Sequence, residues 1–294
     1  MKNKSAVKPM EYAMHLVFLI CGLFAIGFVL LITIYLILSG LPAIREIGLF
    51  NFLFGRVWDS ANKTDPRFGI LPMILTSVYG TCGAVVIGVP IGFLMALFLA
   101  KVAPPRLAAV IRPAVDLLAG IPSVVYGLVG MIVLVPMIRV AFDLPAGDSL
   151  LAAIIVLTVM ILPSIISVSE NALRAVPREY EEASLALGAT ELETYFRVSA
   201  PAAKSGIAAA VVLGIGRAIG EAMAILMVAG NVANMPSLFS SVRFLTTGIA
   251  VEMAYSSDGS LQRNALYSIG LVLFIFIMLI NVLLDLVLKH NKEK

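Results

Sequence analysis

Residues 177–201 read Pro177-Arg178-Glu179-Tyr180-Glu181-Glu182-Ala183-Ser184-Leu185-Ala186-Leu187-Gly188, then nine residues, then Val198-Ser199-Ala200-Pro201. This polar stretch lies between two strongly apolar ones, and its reading governs the rest of the chain. A proline followed by an acidic turn starts a helix, because the ring presets φ and the carboxylates meet the positive end of the helix dipole. Gly188 then ends it, as a glycine just past the last turn commonly does. Ala183, Ala186 and Leu187 stand at i, i+3 and i+4 and form a small apolar stripe among charges. These residues by themselves admit two uses, a solvated connector between membrane helices or a docking element for another protein.

Outside this stretch the chain is suited to hydrocarbon. Of its 294 residues 60% are hydrophobic and 13% charged, with a mean hydropathy of +1.01, whereas soluble domains carry about a quarter charged residues. Six apolar stretches, near 13–38, 70–100, 114–137, 150–173, 206–230 and 265–288, are long enough to cross a bilayer as helices. No alternating strand pattern of membrane-barrel type appears, so the expected fold class is an all-α polytopic membrane protein. With the N-terminus on the cytoplasmic side, the inner segments hold thirteen Lys and Arg and the outer loops seven. That bias predicts that both termini and residues 174–205 are cytoplasmic. The apolar run after the first lysines is too long for a secretory signal and reads as an uncleaved first helix. Cys21 and Cys82 lie in apolar runs without metal-ligand spacing and read as buried thiols, so no metal site is expected.

Several membrane-level features point to a path for solute. The third span carries Gly120-Ile121-Pro122-Ser123-Val124-Val125-Tyr126-Gly127, where Pro122 interrupts the hydrogen-bond ladder and leaves carbonyls to be met by Ser123 or by a neighbouring helix. Broken helices line binding sites in membrane proteins, although a packing kink with Gly120 and Gly127 as close-approach points fits equally well. In the fifth span Arg217 and Glu221 are four residues apart, which places them on one helix face. The small residues Ala210, Gly214, Gly220 and Ala224 on that face are expected to leave room beside the charges. Ionisable groups inside a membrane mark substrate or ion pathways, and the arginine fork suits an oxyanion. Glu221 could accept the proton of hydrogen phosphate, which sulfate lacks; a self-neutralising Arg217–Glu221 ion pair is the alternative. Asp116, Glu170 and Asp285 stand nearer the span ends and are expected to be solvated or paired with Lys and Arg. The loop 39–69, with Phe50, Phe52, Phe54 and Trp58, reads as an interfacial anchor. The loop 231–263, helical in character from Val242 to Tyr255, is expected to be re-entrant or a cap over the path.

The pattern Glu182-Ala183-Ser184, three residues, Gly188, nine residues, Val198-Ser199-Ala200-Pro201 resembles the EAA loop of binding-protein-dependent ABC importer permeases. Ser184, Val198 and Ala200 depart from the usual Ala, Ile and Leu, so the match rests on Glu182, Ala183, Gly188, Pro201 and the spacing. The resemblance implies a type I importer permease (MetI-like) fold with six transmembrane helices. It also implies that those four residues couple the chain to an ATPase through a short helical hairpin. Gly220-Glu221-Ala222-Met223-Ala224-Ile225-Leu226-Met227-Val228-Ala229-Gly230-Asn231, with Gly120 to Gly127 and Asn171-Ala172-Leu173-Arg174-Ala175-Val176-Pro177, is similar to the phosphate-specific permeases. Within them it resembles the PstC-type subunit rather than the PstA-type.

What this implies is a permease for inorganic phosphate in a bacterial inner membrane, with Arg217, Glu221, Ser123 and Tyr126 along the substrate path. The implied partners are a PstA-type permease, a PstB-type ATPase homodimer and a PstS-type phosphate-binding protein, besides membrane lipid; no nucleic acid is expected. No Gly-Lys pair and hence no phosphate-binding nucleotide loop occurs in the sequence, so ATP-Mg is expected on the ATPase, with no cofactor and no enzymatic activity in this chain. A permease for molybdate, sulfate or phosphonate, or an ATP-independent secondary carrier, are the alternatives; a carrier would be expected to show repeated halves or more intramembrane acids. His15 and His290, near opposite ends, offer no catalytic constellation. The expected organisation is a first helix and external loop over 1–69, a permease core over 70–288 containing the coupling loop 174–205, and a tail over 289–294.

Overall fold

The computed structural model describes residues 9–60, 62 and 64–290; Lys2, Lys4, Lys8, Lys63, Lys292 and Lys294 of the charge count, and the side chain of Asp285, lie outside the description. The order of elements is α1 (Pro9–Ile47), α2 (Leu49–Phe54), a hairpin of β1 (Trp58–Asp59) and β2 (Arg67–Phe68), then α3 (Leu71–Leu97), α4 (Pro105–Gly120) and α5 (Ser123–Val129). After α6 (Val135–Ala141) and α7 (Leu150–Arg174) come the short helices α8 (Arg178–Ala186), α9 (Glu191–Thr194) and α10 (Ala200–Ala202). The chain closes with α11 (Lys204–Gly220), α12 (Met223–Val228), α13 (Leu245–Glu252) and α14 (Leu261–His290). Among the described residues, five helical stretches are long and apolar enough to cross a membrane: Glu11–Ile47, Leu71–Val102, Ser123–Ala141, Leu150–Arg174 and Leu261–Val282. A bent pair, Glu191–Ala202 with Lys204–Gly220, is long and apolar enough only when taken together, which makes up to six spans.

α7 is the axis of the bundle. Ser149 caps its start by accepting from the Ala152 N–H at 3.3 Å, and Leu157, Met160, Ile161 and Ile165 along it are buried against α3, α11 and α12. Lipid tails are as apolar as leucine, so helices in a membrane associate by close fit rather than by escape from water. α3 supplies that fit with Gly83, Gly88 and Gly92. A Cβ added at these positions would stand 2.7, 2.8 and 2.7 Å from Ile154, Ile161 and Ile165 of α7. The isoleucines thus occupy the hollows that missing side chains leave.

α1 packs on α14 near its far end, where Ser268 Oγ donates to the Gly40 carbonyl oxygen at 2.6 Å and Tyr35 meets Tyr267. The rest of α1 turns apolar side chains outward, and Cys21 and Cys82 are both exposed on the surface of the chain rather than buried. A thiol is apolar enough to face lipid tails without a buried setting. The loop 39–69 is not the simple interfacial anchor expected of its aromatics. Phe52, Trp58 and Phe68 are buried, with Ile70, Leu245 and Leu266, in a plug at this end of the bundle, and only Phe50 and Phe54 remain on the surface. Trp58 Nε1 donates to Glu252 Oε1 at 2.8 Å, which ties the hairpin to α13. The helical character of Val242–Tyr255 is realised as α13, whose first residues Leu245, Thr246, Thr247 and Gly248 are buried.

Two spans depart from the expected bounds. The third runs from Ser123 to Ala141, and residues 114–120 with Asp116 belong instead to α4, because Pro122 closes that helix at Gly120. The fifth breaks at Glu221 and Ala222.

The α3–α7 seam gives a direct test. Gly88→Leu overfills it, which costs about 1–3 kcal/mol, and should lower the unfolding temperature of the detergent-purified chain. Gly22→Ala, on a face of α1 where an added Cβ meets nothing within 4 Å, should leave that temperature unchanged.

Candidate functional site

The polar stretch folds as a helical hairpin. Pro177 stands in extended geometry before α8, and the last turn closes through Gly188 N–H to the Leu185 carbonyl oxygen at 2.9 Å. Gly188 has φ +87, a left-handed conformation that a side chain would strain. Thr190 then opens α9 with a capping box: its Oγ1 accepts from the Glu193 N–H, and Glu193 Oε2 accepts from the Thr190 N–H at 3.1 Å. That backbone hydrogen bond, helped by the Thr190 hydroxyl, holds the Glu193 carboxyl below the usual carboxylate range. Ser184 and Thr194 hydroxyls meet at 2.9 Å and pin the two arms together. The second arm continues to Ala202 and bends by 72° into α11.

The hairpin carries an uncovered face. No residue of α8 is buried, and Glu182, Ala183, Ala186 and Gly188 are exposed, with Leu187 at 90%. Pro201 is also exposed, in the first turn of α10. The four motif residues are thus all exposed, three on or just after α8 and Pro201 on α10, and the stripe seen in the sequence has no cover among the described residues. The attachment to the bundle is made by the residue before the motif. Glu181 accepts from Ser199 Oγ at 2.7 Å and pairs with Lys101 at the end of α3; the two side chains are only 17% and 10% exposed. Sequence reasoning missed this pair, although Lys101 is the single charge in residues 68–105.

The second constellation lies where the two broken spans meet. Pro122 has no N–H, so the Leu118 carbonyl of α4 loses the partner a continuous helix would give it; the Tyr126 hydroxyl supplies the replacement at 2.7 Å. Ser123 is the first residue of α5. In the other span α11 stops at Gly220, and Glu221 is extended, at φ −72 and ψ 129. Its Oε1 accepts from the Ala224 N–H at 3.0 Å and so caps α12, while its carbonyl oxygen accepts from Thr246 Oγ1 of α13 at 2.7 Å. α5 packs on α12 with Gly127 against Ala224.

This geometry corrects two expectations. Arg217 and Glu221 do not share a helix face, because the helix ends between them, and among the described residues they form no ion pair. Glu221 satisfies backbone N–H at a helix start instead. Arg217 reaches Ser164 Oγ of α7 through Nη1 at 3.4 Å, a long contact. Nor do the small residues all leave room. Ala210 and Ala224 are fully buried and Gly214 takes the Ile165 side chain. Space remains only at Gly216 and Gly220, where an added Cβ would find no atom within 4 Å. Ser123 and Tyr126 follow the first break, Glu221 stands at the second, and Arg217 lies one turn before it.

A family described as "Binding-protein-dependent transport system inner membrane component" matches residues 88–294. The chain belongs to this family. It is a multi-pass membrane protein of the permease class. It is similar to "Probable ABC transporter permease protein YqgH" of Bacillus subtilis, with 42% identity over 90% of this chain and 87% of the relative. It is also similar to "Phosphate transport system permease protein PstC" of Haemophilus influenzae, with 35% identity over 89% of this chain and 88% of the relative. Among solved structures, a bacterial alginate ABC transporter chain superposes with a TM-score of 0.64 at 16% identity, over 97% of this chain and 96% of that one. A chain of the MetNI methionine ABC transporter does so with 0.56 at 24%, over 76% and 94%. Likeness at this identity concerns the fold alone, which is that of MetI-like permeases.

The Lys101–Glu181 pair makes a prediction. Lys101→Met strands a largely buried carboxylate, which costs on the order of 3 kcal/mol, and should loosen the hairpin so that trypsin cuts faster at Arg178 or Arg197. Lys101→Met combined with Glu181→Met removes both charges and should restore slow cleavage. Unchanged cleavage in the single variant would mean the hairpin is held by other contacts.

Proposed function

We propose that this chain is the PstC-type permease subunit of an ATP-driven importer of inorganic phosphate. The observation that carries the reading is Arg217. It is a permanently charged fork set beside a double helix break inside the membrane, half-buried, and without a carboxylate partner among the described residues. Such a group is expensive to keep in hydrocarbon unless it meets an anion or lines a wet cavity, and its paired N–H groups match an oxyanion. Relatives named for phosphate transport, at 32–35% identity over most of the chain, support the cargo.

In this reading phosphate enters from a PstS-type binding protein at the end of the bundle that carries the β1–β2 hairpin and α13. It passes Arg217, with Tyr126, Ser123 and Glu221 around the gap between the broken spans. Glu221 keeps one carboxylate oxygen on the α12 backbone and offers the other to the proton of hydrogen phosphate. Energy arrives through the exposed face of α8, where Glu182, Ala183, Gly188 and Pro201 dock a PstB-type ATPase homodimer that binds ATP-Mg. A PstA-type subunit supplies the other half of the path. The membrane is a bacterial inner membrane with both chain termini cytoplasmic, which places residues 174–205 on the ATPase side.

The test is uptake by the reconstituted four-component complex. Arg217→Gln removes a charge-assisted hydrogen bond worth about 1.5–3 kcal/mol, so phosphate uptake should fall about ten-fold or more while the complex still co-purifies. Arg217→Lys should recover only part, because it keeps the charge and loses the fork. Wild-type uptake in Arg217→Gln would sink the pathway role, and stimulation of ATP hydrolysis by loaded binding protein with molybdate, sulfate or phosphonate in place of phosphate would change the cargo. Glu182→Lys on the docking face should abolish ATPase stimulation and leave the bundle folded; retained stimulation would make the hairpin a connector.

A further inference from the structure

Arg112 of α4 and Arg174 of α7 grip the same two acceptors. Their Nε atoms donate to Glu170 Oε1 at 2.6 and 2.8 Å, and their Nη2 atoms donate to the Leu99 carbonyl oxygen at 3.1 and 3.2 Å. Leu99 lies in a π turn over Phe98–Val102, whose ladder would reach Pro104, a residue with no N–H to give. One side of each guanidinium therefore has a structural task. The other side does not: no further partner of Nη1 is present among the described residues, and the two side chains keep 36% and 44% of their surface exposed while Glu170 keeps 8%.

Both arginines line a cavity of about 270 Å³ together with Ser167, Asn171 and Asp116. A polar stripe on α7 runs from this cavity toward Arg217. Ser164, which takes the Arg217 contact, shares a face with Ser167, Asn171 and Arg174, since at about 100° per residue these four positions fall within a sector of about 80°. The polar stripe runs from residue 164 to residue 174, ten steps or about 15 Å of helix, and is flanked by Ile165, Ile166, Val168 and Leu173. Its sequence of hydroxyl, hydroxyl, amide and guanidinium offers donors at each step.

The charge balance fits a place of passage rather than a trap. Two guanidiniums face Glu170 and Asp116, so the empty cavity is neutral and an anion is held by oriented N–H groups more than by net charge. Transport requires that binding be favourable enough to enter and weak enough to leave. Asp116, exposed on the cavity wall, can also accept the proton of a hydrogen phosphate. We propose that this cavity is a second, low-affinity oxyanion site, where a phosphate-sized anion that has passed Arg217 is held before release on the side of the ATPase. The inference rests on the permease reading for its direction and its cargo.

The experiment uses the assembled permease–ATPase complex in phosphatidylcholine nanodiscs, with Cys21→Ala, Cys82→Ala and a reporter thiol from Ser167→Cys on this chain. N-ethylmaleimide labelling of the reporter is timed with inorganic phosphate, sulfate, molybdate or chloride at equal ionic strength. For a site with a dissociation constant on the order of 1 mM, about 10 mM phosphate should slow labelling about ten-fold. Arg112→Gln or Arg174→Gln should remove that protection; should either fail to assemble, Arg174→Lys, which keeps the charge and loses the fork, should weaken it. Protection by sulfate or molybdate alone upholds the site and overturns the phosphate reading. Absence of protection by every oxyanion overturns the site even where uptake is normal. A phospholipid headgroup offers the same phosphate chemistry, and protection that appears only when phosphatidylglycerol is added to the disc overturns the proposal of a free anion.

Discussion

A helix broken inside hydrocarbon leaves backbone groups that water cannot reach, and each must be met from within the protein. This constraint is met three times around one point. Tyr126 closes the carbonyl that Pro122 abandons, Glu221 caps the restart of α12, and Thr246 covers the Glu221 carbonyl. Because those partners come from α5, the α11–α12 break and α13, satisfying the breaks also ties separate elements together.

The packing around that point follows the same economy. α7 has bulky isoleucines and α3 has glycines, so the two spans approach closely along their length. At the end away from the α8–α9 hairpin, Glu252 gathers Trp58, Ser60, Arg243 and Gln262, which binds the β hairpin, α13 and α14 into one cap. α13 is therefore held from above by Glu252 and reaches the break below through Thr246.

Local chemistry made much of this legible in the sequence. Apolar length located the spans, Pro122 announced one break, and Pro177 and Gly188 bracketed α8 because a proline and a left-handed glycine act on their own few residues. The pairing of Glu170 with arginine was also foreseeable, since Arg174 stands one turn away. The second break was not, because Gly220-Glu221-Ala222 contains no proline and the helix yields instead to a carboxylate that binds the N–H three residues on. The small residues near Arg217 were misread for a related reason: a small side chain marks either a void or a close contact, and only the neighbouring helix decides which. Contacts such as Trp58–Glu252, separated by 194 residues, and Lys101–Glu181 depend on topology that no local pattern encodes.

The attachment of the α8–α9 hairpin has a mechanical consequence. It is covalently continuous with α7 at one end and α11 at the other, and Lys101 clamps it to α3. A push on its outer face is therefore shared among three membrane spans at once, as on a crank with three bearings. The 72° elbow at Ala203 sets the lever angle. The elbow joins the hairpin directly to α11, so a displacement of one carries the start of the other, and the last turn of α11 holds Arg217.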